Sequence, residues 1–280
     1  MIGNCQALGL AICLRQICPT ADVVGELWAA HDQPEAAERL LGSLDGYDLV
    51  VSHVFGKATQ AFRSDQLAAR ARRFVSMPRI MFTGYHPDLV RDFNKDTAAK
   101  AIFGANYSAL IASAFHLGAP RARVADLFNA YVYGVLGYFD AFATAWQLQI
   151  AEGQRVGFDL AALAEEWKQG GAFVHVPDHP KIRVLHSLAR AICVREGLDV
   201  RPDAELPDDA LQHYMVWPVY PEIARRLGID GSLRFTPQNP STPIGLDQVI
   251  AHFYDLYSET GAPSDKRVAD AVETLKREGV

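Results

Sequence analysis

The chain begins with the stretch Met1-Ile-Gly-Asn-Cys-Gln6, which an apolar segment at residues 7–17 follows. The first two residues suit the end of a strand, and Gly3-Asn4 favours a turn. The apolar segment is typical of a buried helix that ends before Pro19. A strand, a tight turn and a helix in this order begin a βαβ unit, so the N-terminus predicts an α/β fold.

Strand-like and helix-like segments continue to alternate up to about residue 90, and the strand-like segments are apolar on both faces. This pattern predicts a parallel sheet that helices cover on both sides. We expect this α/β core at residues 1–95 and a mostly helical part at residues 96–280, which returns one short strand and a histidine-bearing loop to the core within one continuous domain. The expected strands are residues 21–28, 47–54 and 79–83, and the expected helices are 34–41, 64–74, 98–117, 125–151, 160–168, 181–196, 221–227, 244–257 and 264–277.

Composition narrows the function classes. The 280 residues are 49% hydrophobic and 21% charged, which excludes a disordered chain and a small disulfide scaffold. The formal net charge of −6 disfavours a nucleic-acid binder. The four cysteines form no CxxC pair, and no signal peptide is apparent, so we expect reduced thiols and a cytoplasmic protein.

Residues 128–146 form an aromatic stretch long enough to cross a membrane. Asn129, Asp140 and Thr144 interrupt it, and an ionisable group near the centre of a span costs ~3 kcal/mol or more. We therefore expect a buried helix and no integral membrane segment.

Ligands of open parallel sheets bind beyond the carboxyl ends of the strands. We expect residues 3–6, 52–55 and 83–88 to meet at this edge. The notable side chain is Cys5, in the first turn of the expected helix, where backbone N–H groups and the helix dipole lower a thiol pKa. Asn4 adds a donor for an oxyanion, and Gly3 permits close backbone approach. The alternative is that Cys5 is a small buried residue at a strand–helix junction.

Three histidines follow strand-like segments in ways that suit catalysis. His86 precedes a proline and has Asp88 two residues later, and His179 also precedes a proline and follows Asp178. A proline fixes the residue before it in extended geometry, so either ring suits a general base. His53 ends a strand at the expected ligand edge. The alternative is that these histidines bond only to the backbone or have no role.

Other common sites are absent from the sequence. His175 and His179 have the spacing of a helical metal pair, but Pro177 lies between them, so we expect no metal. The sequence contains no P-loop, no G-x-G-x-x-G after a strand and no G-x-S-x-G elbow.

Three motifs in order carry a family resemblance: Ile2 to Gln6, residues 82–88 and residues 173–180 with Asp178-His179-Pro180. Together they resemble the WcbI-type polysaccharide-biosynthesis enzymes. The resemblance implies a fold similar to SGNH/GDSL hydrolases with helical additions. It also implies acetyl transfer from acetyl-coenzyme A to a sugar or nucleotide-sugar hydroxyl, in contact with a polysaccharide-assembly complex. Cys5 stands where SGNH enzymes have their serine, while Asp178 and His179 are adjacent rather than spaced as Asp-x-x-His.

From the residues and the resemblance together, we expect roles for three groups of residues. The catalytic group is Cys5, His86, His179 and Asp178. The oxyanion and substrate group is Gly3, Asn4, Gln6, His53, Tyr85 and Asp88. The group for the coenzyme A phosphates is Arg15, Lys57, Arg79 and Arg91, each of which is equally explained as a solvated surface charge.

The sequence leaves the reaction open. In one route Cys5 receives the acetyl group as a thioester, and in the other a histidine activates the sugar hydroxyl for direct attack. The alternatives are an SGNH-like esterase or deacetylase that uses Cys5, and a non-catalytic module that binds coenzyme A or a glycan.

Overall fold

The structure is a computed structural model that describes residues 1–56, 61–92, 95–238 and 241–279. Its strands are short, with two or three residues each. They are β1 (Ile2–Gly3), β2 (Glu26–Leu27), β3 (Val50–Ser52), β4 (Phe74–Ser76), β5 (Leu89–Arg91), β6 (Asn106–Ser108), β7 (Val174–Val176), β8 (His179–Pro180), β9 (Arg234–Phe235) and β10 (Ile244–Gly245).

Helices make up most of the remaining regular structure. They are α1 (Cys5–Ile17), α2 (Pro34–Ser43), α3 (Ser64–Arg70), α4 (Lys95–Lys100), α5 (Ala109–His116), α6 (Ala130–Val135), α7 (Ala141–Arg155), α8 (Leu160–Gln169), α9 (Ile182–Glu196), α10 (Pro221–Leu227), α11 (Leu246–Thr260) and α12 (Lys266–Glu278).

The chain forms two compact units that interleave along the sequence. The first unit comprises Met1–Met81, Gln147–Val174 and Asp178–Leu211. The second unit comprises Phe82–Trp146, His175–Pro177 and Gln212–Val280. The organisation into residues 1–95 and 96–280 stays a prediction.

The first unit contains a four-stranded parallel sheet in the order β2-β1-β3-β4. Ile2 is in register with Ser52, so the carboxyl ends of β1 and β3 lie side by side. A hydrophobic cluster joins Ile2 and Val50 to apolar residues of α2 and α3, and α1 packs against β1, β2 and α9. The predicted α/β class, a parallel sheet flanked by helices, is confirmed.

The second unit is built on helices and aromatic side chains. β5 and β6 pair antiparallel, as do β9 and β10, and α5 packs against α11 and α12. The ring of Phe103 contacts Trp217, Phe235 and Phe253, with ring centroids 5.3 to 6.3 Å apart.

The predicted strand at residues 79–83 is wrong, because side-chain amides replace a neighbouring strand. In the first unit Gln6 and Gln149 bond the backbone of residues 79–81. In the second unit the Phe82 N–H donates to the carbonyl of Pro177 at 2.7 Å. The backbone is thus satisfied without a β ladder.

Two long predicted helices are also wrong in extent. Residues 125–151 break into several shorter helices, since Gly137 adopts a left-handed conformation with φ +71°. Strand β6 interrupts the predicted helix at residues 98–117, and the predicted strand at residues 21–28 shrinks to β2. Across the described part of the chain, no helix has both the length and the apolar character that a membrane crossing requires.

Candidate functional site

The first unit carries the turn on which the site is built, at the carboxyl end of β1. Asn4 is the N-cap of α1, and its Oδ1 accepts from the Gln6 N–H at 3.0 Å. This cap stabilises a helix start with Cys5 as its first residue. The predicted strand–turn–helix around Cys5 is confirmed.

His53 lies beside this turn at the end of β3. Its Nδ1 accepts from the Asn4 N–H at 3.4 Å, and a Cβ on Gly3 would lie only 2.5 Å from the same nitrogen. Burial and then the positive charge of Arg79 lower the pKa of His53 to about 3. A neutral ring that accepts at Nδ1 carries its proton on Nε2. His53 is therefore a fixed neutral ring, and residues 3–6 and 52–55 meet as predicted.

Cys5 is half-buried, and its pKa is raised rather than lowered. Burial is the largest cause, and the negative charge of Asp178 adds to it. The backbone N–H groups of Gln6 and Cys5, and then Arg79, act in the opposite direction. The expectation of a lowered thiol pKa is thus wrong, because desolvation and one carboxylate outweigh the helix N-terminus. At neutral pH the group is a thiol.

Gln6 is only 2% exposed, and its amide is engaged inside the protein. Nε2 donates to the carbonyl of Ile80 at 2.7 Å and to that of Asp178 at 2.8 Å, while Oε1 accepts from the Ile80 N–H at 3.1 Å. The sequence predicts Gln6 at the substrate, whereas the structure uses its amide to join three parts of the first unit.

Asp178 and His179 lie near Cys5 within the first unit, although they are distant from it in sequence. Helix α1 contacts β8, the two-residue strand formed by His179 and Pro180. Asp178 is buried, with 8% of the residue exposed, and its charge acts on the Cys5 thiol. The first unit therefore brings together Cys5, Asp178 and the His179 strand, and their catalytic roles stay predictions.

The second unit contains the other predicted group, Tyr85, His86 and Asp88. His86 is 2% exposed, and its backbone is fixed by two turns: its N–H donates to Thr83, and its carbonyl accepts from Leu89. The ring of Tyr85 packs against Phe82 and Phe142. The roles of His86 and Tyr85 stay predictions.

Asp88 is fully buried and surrounded by donors of its own unit. Oδ1 accepts from the Leu110 N–H at 2.8 Å and from the Tyr138 hydroxyl at 2.9 Å, and Oδ2 accepts from the Tyr220 hydroxyl at 2.7 Å. Ser108 also bonds the carboxylate. Burial nevertheless raises the pKa of Asp88. The sequence predicts that Asp88 contacts the substrate. The structure instead places Asp88 in the interior of its unit, with its carboxylate bonded to protein donors.

The four predicted phosphate-binding cations are placed differently. Arg79 is exposed, and its charge acts on both Cys5 and His53. Arg15 lies ten residues along α1, about 15 Å from Cys5, and its guanidinium donates to the carbonyl of Val23. The expectation that Arg15 is at the ligand edge is therefore wrong. Arg91 belongs to the second unit, and Lys57 lies outside the described residues.

Each of the two units contains a cavity. One of about 520 Å³ lies in the first unit at the amino ends of β1 and β3, lined by Met1, Leu49 and Val50 among others. One of about 340 Å³ lies in the second unit and is lined by Arg91, Tyr107 and Asp265 among others. Among the described residues, no cluster of three or more His, Cys, Asp or Glu side chains is arranged to hold a metal ion.

Sequence reasoning missed the residues that act through tertiary hydrogen bonds. Gln149 of α7 accepts from the Met81 N–H and donates to the Arg79 carbonyl, and Tyr138 and Tyr220 hold Asp88. No local motif marks these side chains as partners of Asp88 or of the backbone at residues 79–81.

Comparison with known proteins now identifies the family. The family model described as "Polysaccharide biosynthesis enzyme WcbI" matches residues 1–202. The chain belongs to the WcbI family of polysaccharide biosynthesis enzymes. The resemblance inferred from the three sequence motifs is thereby confirmed. A search of curated proteins finds no match.

A solved structure of WcbI itself is similar over the whole chain. It covers 98% of this chain and 97% of its own, with a TM-score of 0.74 and 16% sequence identity. That structure is described as the native protein without a disulfide bond between coenzyme A and one of its cysteines. At this identity the likeness establishes the fold that the two WcbI-family chains share.

Proposed function

We propose that this WcbI-family enzyme transfers an acetyl group from acetyl-coenzyme A to a sugar hydroxyl, and that Cys5 receives the acetyl group first. The observation that carries the proposal is the half-exposed Cys5 thiol at the start of α1, with Asp178 and Arg79 acting on it. Membership of a polysaccharide-biosynthesis family supports the sugar acceptor. A WcbI cysteine named together with coenzyme A supports a donor of this kind.

The first step needs a base, because the raised pKa keeps Cys5 protonated. We assign this role to His179, since it belongs to the same unit and follows Asp178. As Cys5 Sγ attacks the thioester carbon, its proton passes to His179. The new C–S bond forms, the bond to the coenzyme sulfur breaks, and the proton then neutralises the leaving thiolate.

The second step releases the enzyme. The sugar hydroxyl loses its proton to His179 and attacks the acetyl-Cys5 thioester, forming the ester and returning Cys5 as a thiol. Thioester exchange keeps the energy of the donor for this ester. The backbone N–H groups of Gln6 and Cys5 at the helix start favour negative charge on the Cys5 sulfur. Exposed Arg79 suits a phosphate of the coenzyme.

The test starts with ligand binding. Thermal unfolding is measured with coenzyme A, acetyl-coenzyme A and ATP as separate ligands. A ligand at 100 times its Kd adds about 2.7 kcal/mol of stability, which raises the midpoint by a few degrees in a chain of this length. We expect both coenzyme A species to raise it and ATP to leave it unchanged. No shift with either coenzyme at millimolar concentration contradicts the proposal.

Release of free coenzyme A from acetyl-coenzyme A then separates the reactions. We expect release to depend on a nucleotide-sugar acceptor and on Cys5. Equal release without an acceptor points to the hydrolase, and binding without any release points to a coenzyme A binding module. Cys13→Ala is the matched control, because Cys13 is buried on the same helix.

A further inference from the structure

The side chain of Gln6 connects three segments of the first unit that are distant in sequence. Gln6 directly follows Cys5 at the start of α1. Its amide donates to the Ile80 carbonyl and accepts from the Ile80 N–H. The second N–H of the amide reaches the carbonyl of Asp178. Three hydrogen bonds at 2.7 to 3.1 Å satisfy the amide of this residue, which is 2% exposed.

The two segments that Gln6 holds carry the two charges that act on Cys5. Asp178 is bonded through its own carbonyl, and Arg79 is the residue before Ile80. The Cys5 thiol is subject to both, with Asp178 opposing the thiolate and Arg79 favouring it. His53 lies beside the turn as a neutral ring, so it adds no charge at neutral pH.

Gln149 provides a natural comparison within the same unit. It accepts from the Met81 N–H at 2.9 Å and donates to the Arg79 carbonyl at 3.0 Å. It therefore fixes the same extended segment as Gln6. Unlike Gln6, it has no bond to Asp178 among its hydrogen bonds in the described part of the chain.

We propose that Gln6 is a positioning residue, whose amide holds the Asp178 carboxylate at the Cys5 turn and so sets the protonation of the thiol. The proposal deepens the proposed function, on which the catalytic meaning of the thiol rests. Gln6 is then not a substrate contact but the residue whose amide links the Cys5 turn to Asp178. When Gln6 is lost, Gln149 still bonds the Arg79 carbonyl, so we expect the Asp178 carboxylate to move away from Cys5 while Arg79 keeps its place.

The experiment measures the pH dependence of Cys5 alkylation by iodoacetamide, with peptide mass spectrometry to resolve the four cysteines. Cys13, Cys18 and Cys193 are buried, and burial raises the pKa of Cys13 and of Cys193 to about 12. Peptide mass spectrometry assigns the alkylation to each cysteine, so the rise in alkylation of the Cys5 peptide with pH gives the Cys5 midpoint. The variants are Gln6→Met, Gln149→Met and Asp178→Asn.

We expect Gln6→Met and Asp178→Asn to lower the midpoint pH of alkylation by about one unit, since the first lets the Asp178 carboxylate move away from the thiol and the second removes its charge. Gln149→Met keeps the wild-type midpoint, although it also loses two hydrogen bonds. A wild-type midpoint in Gln6→Met, or equal shifts in both glutamine variants, overturns the proposal.

Two features keep the result decisive. If Gln6→Met does not fold, a wild-type midpoint in Asp178→Asn overturns the proposal by itself, because Gln6 would then have no charge to position. A lowered midpoint in that variant supports it. Alkylation needs no coenzyme, so failure of the proposed acetyl transfer leaves this outcome readable.

Discussion

The Cys5 turn of the first unit and the Asp88 centre of the second unit both contain a buried or half-buried acid, yet their neighbours differ. Asp88 accepts from four backbone and hydroxyl donors, which come from three segments of its unit. Cys5 is half-exposed between a carboxylate that opposes its ionisation and a guanidinium that favours it. A carboxylate with all its hydrogen bonds made stabilises the fold. A thiol between two opposite charges has a pKa that small movements of either charge change, which suits a nucleophile.

The largest expected effect lies at the Asp88 centre. Asp88→Ala leaves Tyr138, Tyr220 and the Leu110 N–H without their buried acceptor. We expect the free energy of unfolding to fall by about 3–5 kcal/mol. Urea denaturation measures it, with Asp88→Asn as a milder variant that keeps one acceptor oxygen. A loss below about 1 kcal/mol would show that the centre is not structural and would remove the contrast with Cys5.

The next effect is the pH dependence that His53 contributes in the first unit. Its folded-state pKa is lowered from 6.5 to about 3. Between these two pH values the ring is therefore protonated in the unfolded chain and neutral in the folded protein. This contribution is complete above pH 6.5 and is lost as the pH falls, by about 1.4 kcal/mol per pH unit. Between pH 7 and pH 4.5 we expect wild type to lose about 2–3 kcal/mol more than His53→Gln. Parallel stability profiles for the two proteins would contradict a buried neutral ring.

Gly3 lies so close to His53 that the Cys5 turn has no room for a side chain at this position. In Gly3→Ala the new methyl group meets His53 Nδ1 at 2.5 Å and the Ala7 methyl at 2.9 Å. We expect a loss of about 1–3 kcal/mol in thermal or urea unfolding. Gly42→Ala is the control, since its Cβ meets no atom within 4 Å inside α2, and it stabilises the helix by up to about 1 kcal/mol. Equal effects of the two changes would mean that the turn has room to spare.

The smallest effect separates two arginines of the first unit. Arg79→Met removes the exposed charge that acts on Cys5, and we expect it to weaken coenzyme A binding about tenfold, or about 1.4 kcal/mol. Arg15→Met removes a guanidinium bonded to Val23 at the other end of α1, and we expect it to leave the affinity unchanged. Calorimetric titration of both variants with coenzyme A measures the two affinities. A larger loss in Arg15→Met than in Arg79→Met would show that Arg79 does not bind the phosphates.

Local signals explain why part of this structure was predictable. The Gly-Asn turn, the apolar segment after it and the apolar strand at β3 act within a few residues, so the sheet edge at Cys5 and His53 follows from them. Proline at the first turn and glycine after the last give the predicted helix at residues 221–227, which is α10. The family resemblance came from three such local motifs in order.

Distant contacts explain what the sequence did not predict. Whether residues 79–81 form a strand depends on two glutamine side chains from α1 and α7, and the fate of Asp88 depends on Tyr138 and Tyr220. The direction of the Cys5 pKa shift depends on burial and on Asp178, neither of which is visible from the first turn of α1. These are properties of the packed unit rather than of any segment.

The most direct test of the account is whether Cys5 carries the acetyl group. Protein mixed with acetyl-coenzyme A is quenched in acid within one turnover and analysed by peptide mass spectrometry. We expect an acetyl group on the Cys5 peptide in wild type and in Cys13→Ala, and at least ~10²-fold slower coenzyme A release in Cys5→Ala. No acetyl group on Cys5, together with wild-type release by Cys5→Ala, would contradict the account.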